Sequence, residues 1–312
     1  MIQKSILLAA ALLLLFTSAS RAQNDLPDIE IDFHKLATGY AHLVSFTAEP
    51  EIAAARFNID DGDDLSEDST LKTTKLPLYK EFSSDDHQWS WYLQGAATYS
   101  SLEQTLSFPL DPPLDGSSDI KWTGYGGLIE AGMIFPLPYG FSWSAGMGGG
   151  VSRLKNETDY SNPALEDWLD PLLGGTVFDW ETNVSTVRGN LGLLYNKYHG
   201  KYGIKGYAHF TYSHIDSFSE SREFGGFSDH ASTLTLKLDV KHPLGFELRE
   251  HPVYIIGHLG NTNFVGPNRD ELGFDSFSEL GLSFGLEKVT LGALAIFGDN
   301  VDGWNIILNY DY

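Results

Sequence analysis

The sequence predicts an all-β protein, a 12-stranded antiparallel transmembrane β-barrel. Three observations predict it. Long segments alternate apolar and polar residues with period two. The links between them alternate between short and long. The last ten residues, Gly303–Tyr312, form an alternating strand with aromatics near both ends of one face. In it Trp304, Ile306, Leu308, Tyr310 and Tyr312 share the apolar face. Asn305, Asn309 and Asp311 lie opposite, with Ile307 the apolar exception. A strand of this kind crosses an outer membrane with aromatics at the two interfaces and a wet interior behind it.

The chain begins with Lys4, an unbroken apolar run from Ile6 to Phe16, and small residues ending Ser20-Arg21-Ala22. Residues 1–22 read as a secretory signal peptide. The run is too short to span a bilayer, and no later stretch approaches the roughly 18 apolar residues a spanning helix needs. Any crossing therefore uses strands. Cysteine is absent, which excludes disulfides and thiol chemistry. The net charge is -22; losing Lys4 and Arg21 with the leader takes it to -24. So acidic a chain has no affinity for nucleic acid through bulk charge.

The elements follow in order. In the N-terminal segment 23–50, Phe33, Leu36, Ala37, Tyr40, Ala41 and Val44 have helical spacing. This predicts a helix over 29–47, set in or below the lumen, with a short strand at Tyr40–Thr47 as the alternative. Pro50 marks a break, and residues 51–312 form the barrel. Its strands are expected at Glu51–Ile59, Thr73–Phe82, His87–Thr105, Lys121–Phe135, Phe141–Ser152 and Thr182–Tyr198. The remaining six are Lys201–Ile215, Ala231–Lys241, Val253–Phe264, Ser276–Leu286, Val289–Phe297 and the terminal strand. Alternation is clean at His87–Thr105, with Trp91, Leu93 and Tyr99 opposite Ser90, Gln94 and Ser100. It is clean again at Phe141–Ser152, where Phe141, Trp143, Met147 and Val151 oppose Ser144, Gly146, Gly148 and Gly150. Val253–Phe264 is ambiguous, and Val289–Phe297 is apolar on both faces.

Long polar links are expected at Asp60–Lys72, Pro109–Ile120, Asn156–Glu181 (with a short helix at Ala164–Leu172), Ser217–His230 and Val265–Asp275. Tight turns fall at Pro138-Tyr139-Gly140, His199-Gly200-Lys201 and Glu287-Lys288, with a somewhat longer link at Pro243–Pro252. Outer-membrane barrels show this asymmetry, with short periplasmic turns and long outer loops. An even strand count then puts both ends of the barrel chain on the short-turn side.

Signal peptide, possible helix, twelve strands and an aromatic-ended C-terminal strand together resemble a bacterial autotransporter translocator. An ordinary autotransporter carries a long passenger between leader and barrel, where this chain has only residues 23 to about 50. The chain therefore resembles the solitary outer-membrane autotransporter barrel family over residues 25–312. That resemblance implies localisation in the cell outer membrane and a structural or pore-forming, non-enzymatic role. It implies outer-membrane lipids and the barrel-assembly machinery as partners. Trp304, Ile306, Leu308, Tyr310 and Tyr312 would be the C-terminal assembly signal. The family brings no catalytic motif and no cofactor.

Other residues bear on chemistry. Glu130, Arg188, Lys205, Lys237, Asp239 and Glu279 fall mid-strand opposite the apolar faces and are expected to line the lumen. They pair across it or tune a channel for small solutes, with pairing favoured. His230 and Ser232 lie two apart on one strand face, as in a twelve-stranded outer-membrane phospholipase. That family has Asn after the serine, where this chain has Thr233, so lipid hydrolysis is the minor alternative. Asp60–Asp64 with Glu67 and Asp68 is a dense acidic loop, but its spacing does not fit an EF-hand. It reads as a solvated tip.

Overall fold

In a computed structural model the chain forms a closed barrel in which every strand is antiparallel to its sequence neighbours and the first pairs with the last. The structure describes residues 54–60, 69–83, 88–108, 112–175, 178–218, 227–266, 269, 272–286 and 289–310. The leader, the helix expected at 29–47, most of the acidic loop and Tyr312 lie outside the described residues.

The strands are β1 (Ala54–Ile59), β2 (Ser69–Ser83), β3 (Ser90–Phe108), β4 (Gly116–Pro136), β5 (Phe141–Tyr160) and β6 (Glu181–His199). They continue as β7 (Tyr202–Phe218), β8 (Ser228–Leu248), β9 (His251–Val265), β10 (Ser276–Leu286), β11 (Val289–Gly298) and β12 (Val301–Tyr310). One helix, α1 (Pro163–Leu173), stands between β5 and β6. Among the described residues no helix is long and apolar enough to cross a membrane.

Alternation decides which side each residue takes. Leu76, Ile129, Met147, Val187, Leu191 and Leu280 point outward and are more than half exposed. A contiguous apolar belt of this kind is a lipid-facing surface, since soluble proteins do not leave one open to water. Aromatic pairs ring the short-turn end: Phe82 stacks on Trp91 at 3.9 Å and Phe135 on Trp143 at 4.3 Å.

Several predicted links are strand instead. β3, β4 and β5 are 19, 21 and 20 residues long. About 9–11 residues suffice to cross, so these strands rise well beyond the belt. The links expected at Pro109–Ile120 and Asn156–Glu181 shrink accordingly. Polar residues such as Asp119 and Asp159 hid the extension, because a strand beyond the membrane needs no apolar face. At the other end β8 and β9 absorb most of the link expected at Pro243–Pro252, with a register shift between Pro243 and Glu247.

The helix caps that extension. Asn162 accepts a hydrogen bond at 2.8 Å from the Leu165 N–H, and Pro163 occupies the first turn. Leu165 and Leu169, one turn apart, pack with Leu106, Phe108, Ile120 and Phe178 in a buried cluster. The Asn162 side chain also donates to the Asp115 carbonyl at 2.8 Å, tying the helix start to β4.

Candidate functional site

The lumen is layered. At the long-link end it is apolar, not wet. Each strand turns at least one apolar residue inward there. In order from β1 to β12 they include Phe57, Leu71, Leu102, Trp122, Leu154, Val184, Ile215, Ala231, Phe264, Phe277, Ile296 and Val301. The links fold in over them. Trp180 and Phe274 are 2% exposed, and Phe274 packs against Phe57, Phe264 and Phe277 at ring separations of 5.7 to 6.2 Å. This corrects the expectation of a polar interior throughout. The signal lies in the apolar residues on the inward parity of the outer strand ends, where the polar outward neighbours read as links.

Below this cap lies a buried polar layer. Glu130 on β4 and Arg188 on β6 are paired at 3.2 Å, with both side chains at 0% exposure. They are neighbours of the same residue, Gly148 on the intervening β5. With no side chain there, the carboxylate reaches across a whole strand. A Cβ on Gly148 would collide with the Ile129 carbonyl oxygen. The Tyr92 hydroxyl donates to Glu130 Oε1 at 2.9 Å and lies 3.3 Å from Asn190 Oδ1. Gln94 donates to the same carboxylate oxygen at 2.5 Å. The Tyr92 ring lies over Gly132 and Gly146, where any Cβ would strike it. Tyr92, Glu130 and Arg188 fill the space left by the small residues on the inward face of β5.

The same device recurs on the opposite wall. Lys237 on β8 and Glu279 on β10 both neighbour Gly260 of β9 and approach to 4.0 Å. Asn305 of β12 donates to Glu279 at 3.1 Å. One step nearer the short turns, Asp239 Oδ1 lies 2.7 Å from His258 Nδ1, and His258 Nε2 lies 2.7 Å from Ser283 Oγ. An ionised carboxylate only accepts, so Nδ1 carries a proton; in the neutral ring Nε2 accepts from the Ser283 hydroxyl, and in the imidazolium it donates to it. A small cavity opens here, lined by Lys237, Asp239, His258, Glu279 and Asn305 among others.

Of the expected lumen residues, Glu130, Arg188, Lys237, Asp239 and Glu279 thus enter three groups. Lys205 is exposed, registered beside Asp239. Sequence reasoning missed Tyr92, because an aromatic on a polar face was passed over, and His258, because its strand had no clear parity. Trp304, Ile306 and Leu308 are all exposed on the outward face of β12. His230 and Ser232 also face outward. His230 stacks on Tyr212 at 5.8 Å, and Ser232 is registered between Tyr212 and Val265.

An apolar belt outside, aromatics at its edge and a side-chain-filled interior define an integral outer-membrane barrel. The chain belongs to the solitary outer membrane autotransporter beta-barrel domain family, whose model matches residues 47–312. It is similar to the transport unit of the autotransporter AIDA-I from Escherichia coli, with 8% identity, a TM-score of 0.50, and coverage of 88% of this chain and 98% of that one. It is also similar to the translocator domain of the autotransporter NalP from Neisseria meningitidis, with 11% identity, a TM-score of 0.48, and coverage of 97% and 100%. The beta domain of the Bordetella autotransporter BrkA matches at 15% identity and a TM-score of 0.46, with 85% and 100% covered. No curated protein matches the chain in sequence.

Proposed function

We propose that this outer-membrane barrel is non-enzymatic and non-conducting, held shut by its own wall, with the long-link end outside the cell. The observation that carries this reading is the apolar cap to which all twelve strands contribute. Hydrated ions do not readily cross a lumen packed with apolar side chains, so a small-solute channel is disfavoured. Lipid hydrolysis through Ser232 lacks support, since its His230 neighbour is engaged in stacking on Tyr212. The Asp239–His258–Ser283 line has the connectivity of a nucleophile relay. Ser283 is fully buried, however, and the line serves as a brace between three strands. The partners are the surrounding lipids and, through the C-terminal strand, the barrel-assembly machinery. Planar-bilayer recording tests closure. The wild-type protein should show no steady conductance, and Phe57→Ser with Phe277→Ser should open it. A wild-type pore as large as the variant's would overturn the reading.

A further inference from the structure

The outward face carries a second asymmetry, in charge. Arg56, Lys72, Lys121, Arg153 and Lys155 all point outward near the long-link rim, within the sector β1 to β5 and on every strand of it but β3. They are five of only 20 Lys and Arg in a chain of net charge -22. The rest of that rim carries outward Glu181, Asp216 and Asp302 on its strands, and the one Lys or Arg among the described residues there, Arg269 in the link between β9 and β10, lies 3.5 Å from Asp275.

Their height is fixed by register. Arg56 pairs with Trp304, and Arg153 pairs with Tyr125, which itself pairs with Tyr99. All three aromatics are exposed on the lipid side. Interfacial aromatics mark headgroup level. Lys72 lies beside Arg56, and Lys155 lies two residues beyond Arg153 on the same face. The next row away from the membrane is mixed, with Glu103, Lys121 and Glu157 side by side. Beyond it Asp119 pairs with Asp159. The surface therefore runs from apolar to aromatic to basic to acidic.

We propose that this sector is a binding surface for the phosphate-bearing headgroup of a lipid in the leaflet that meets the rim. Acyl chains would lie on the belt below, beside Leu76, Ile129 and Val151. Phosphate groups would be met both by Arg56 with Lys72 and by Arg153 with Lys155. These cations are held in place by exposed partners: Lys72 meets Glu103 at 2.8 Å, Arg153 meets Glu181 at 2.7 Å, and Lys155 meets Glu157 at 2.5 Å. Each of these side chains is about half exposed, and exposed pairs are weak. They orient the cations without neutralising them against a doubly charged phosphate, whose hydrogen bonds to Arg are charge-assisted.

The test uses the purified full-length barrel in detergent, titrated with a bisphosphorylated glycolipid and followed by native mass spectrometry. The combined variant R56Q/K72Q/R153Q/K155Q should lose about tenfold or more in retained lipid. R153Q/K155Q alone, the milder change, should lose a smaller part, which keeps the test decisive if the fourfold variant assembles poorly. A control removing as much charge at the opposite end, K80Q/K197Q/K201Q/R249Q, should retain wild-type binding. The dephosphorylated lipid should bind the wild type as weakly as the phosphorylated one binds the fourfold variant. Equal retention by wild type and R153Q/K155Q, or equal binding of the dephosphorylated lipid, would overturn the proposal. So would full competition by an equimolar amount of inorganic phosphate, which would make the surface an ion site and not a lipid site.

Discussion

Glu130 and Arg188 belong to strands that never touch, yet their side chains meet at 3.2 Å because Gly148 of the strand between them has nothing to put in the way. Lys237 and Glu279 repeat the arrangement over Gly260. A buried ion pair is a poor source of net stability, but losing one partner strands the other charge. Arg188→Met alone should therefore destabilise the barrel by about 3–5 kcal/mol. Glu130→Leu combined with Arg188→Met should recover most of that loss. Urea unfolding in lipid vesicles, read by tryptophan fluorescence, measures both. Additive losses in the double variant would show that the two groups do not act as a pair.

Tyr92 and Gly146 offer a cleaner steric test. A Cβ at residue 146 would strike the Tyr92 hydroxyl. Gly146→Ala should lower stability by about 1–3 kcal/mol, the usual cost of overpacking. Tyr92→Phe removes the clashing oxygen, so the double variant should lose less than the sum of the single changes. Gly189→Ala is the control, since nothing lies within 4 Å of its Cβ position. Heat-dependent mobility of the folded barrel on gels ranks the four variants against the wild type. A Gly146→Ala barrel as heat-resistant as wild type would mean Tyr92 does not lie across β5.

Much of this architecture was legible because the membrane enforces it. A strand in lipid must show an apolar face, so parity in Trp91–Tyr99 or Phe141–Val151 has one reading. Strand number and order followed from the same rule, together with the alternation of link lengths. Legibility failed where the membrane stops. Leu102, Trp122 and Leu154 turn inward on strand ends whose outward neighbours are polar, which is the reverse of the pattern inside the bilayer. That inversion hid both the apolar cap and the extended hairpins. The candidate site was legible as single charges opposite apolar faces. Which charge met which was not, because pairing depends on register with a glycine on the strand between the two partners. His258 could not be placed at all until its strand had a direction.

The link that carries Trp180 into the cap has a pH-sensitive anchor in Asp179. Its N–H donates to Asn156 Oδ1 at 3.0 Å, and its carboxylate accepts from the Thr158 N–H at 3.0 Å. Burial holds this carboxyl above its ordinary range; the Thr158 bond opposes that, and the charges of Asp170, Asp159 and Glu157 add to it. An acid with a raised folded-state pKa binds its proton more tightly when folded. Its ionisation opposes folding above that pKa, and the opposition fades as pH falls through it towards the unfolded value near 3.9. Protection of the Asn156 and Thr158 amides against hydrogen exchange should therefore increase modestly as pH falls across this window, with the residue's exposure keeping the effect small. Asp179→Asn keeps the acceptor and suits the left-handed backbone at φ 54°. It should flatten the difference. An identical slope in the variant would assign the pH dependence to the neighbouring acids.

The seam between β1 and β12 closes the barrel, and it depends on close approach. Gly303 pairs with Phe57, and a Cβ there would collide with the Arg56 carbonyl oxygen. Phe57 fills the space above as part of the apolar cap. Gly303→Val should therefore weaken the seam while leaving the hairpin of β11 and β12 intact. Deleting 303–312 removes most of β12, leaving β1 and β11 without the partner that joins them. In hydrocarbon each unpaired backbone group costs several kcal/mol. The truncated chain should fail to insert at all, whereas Gly303→Val should insert slowly and unfold at a lower temperature. Tyr312→Ala, which spares the seam, should slow assembly only, if the terminal aromatic serves recognition by the assembly machinery. The heat-dependent gel shift of outer-membrane fractions separates the three outcomes. A truncated chain that still shows the full shift would mean that β12 does not close this barrel.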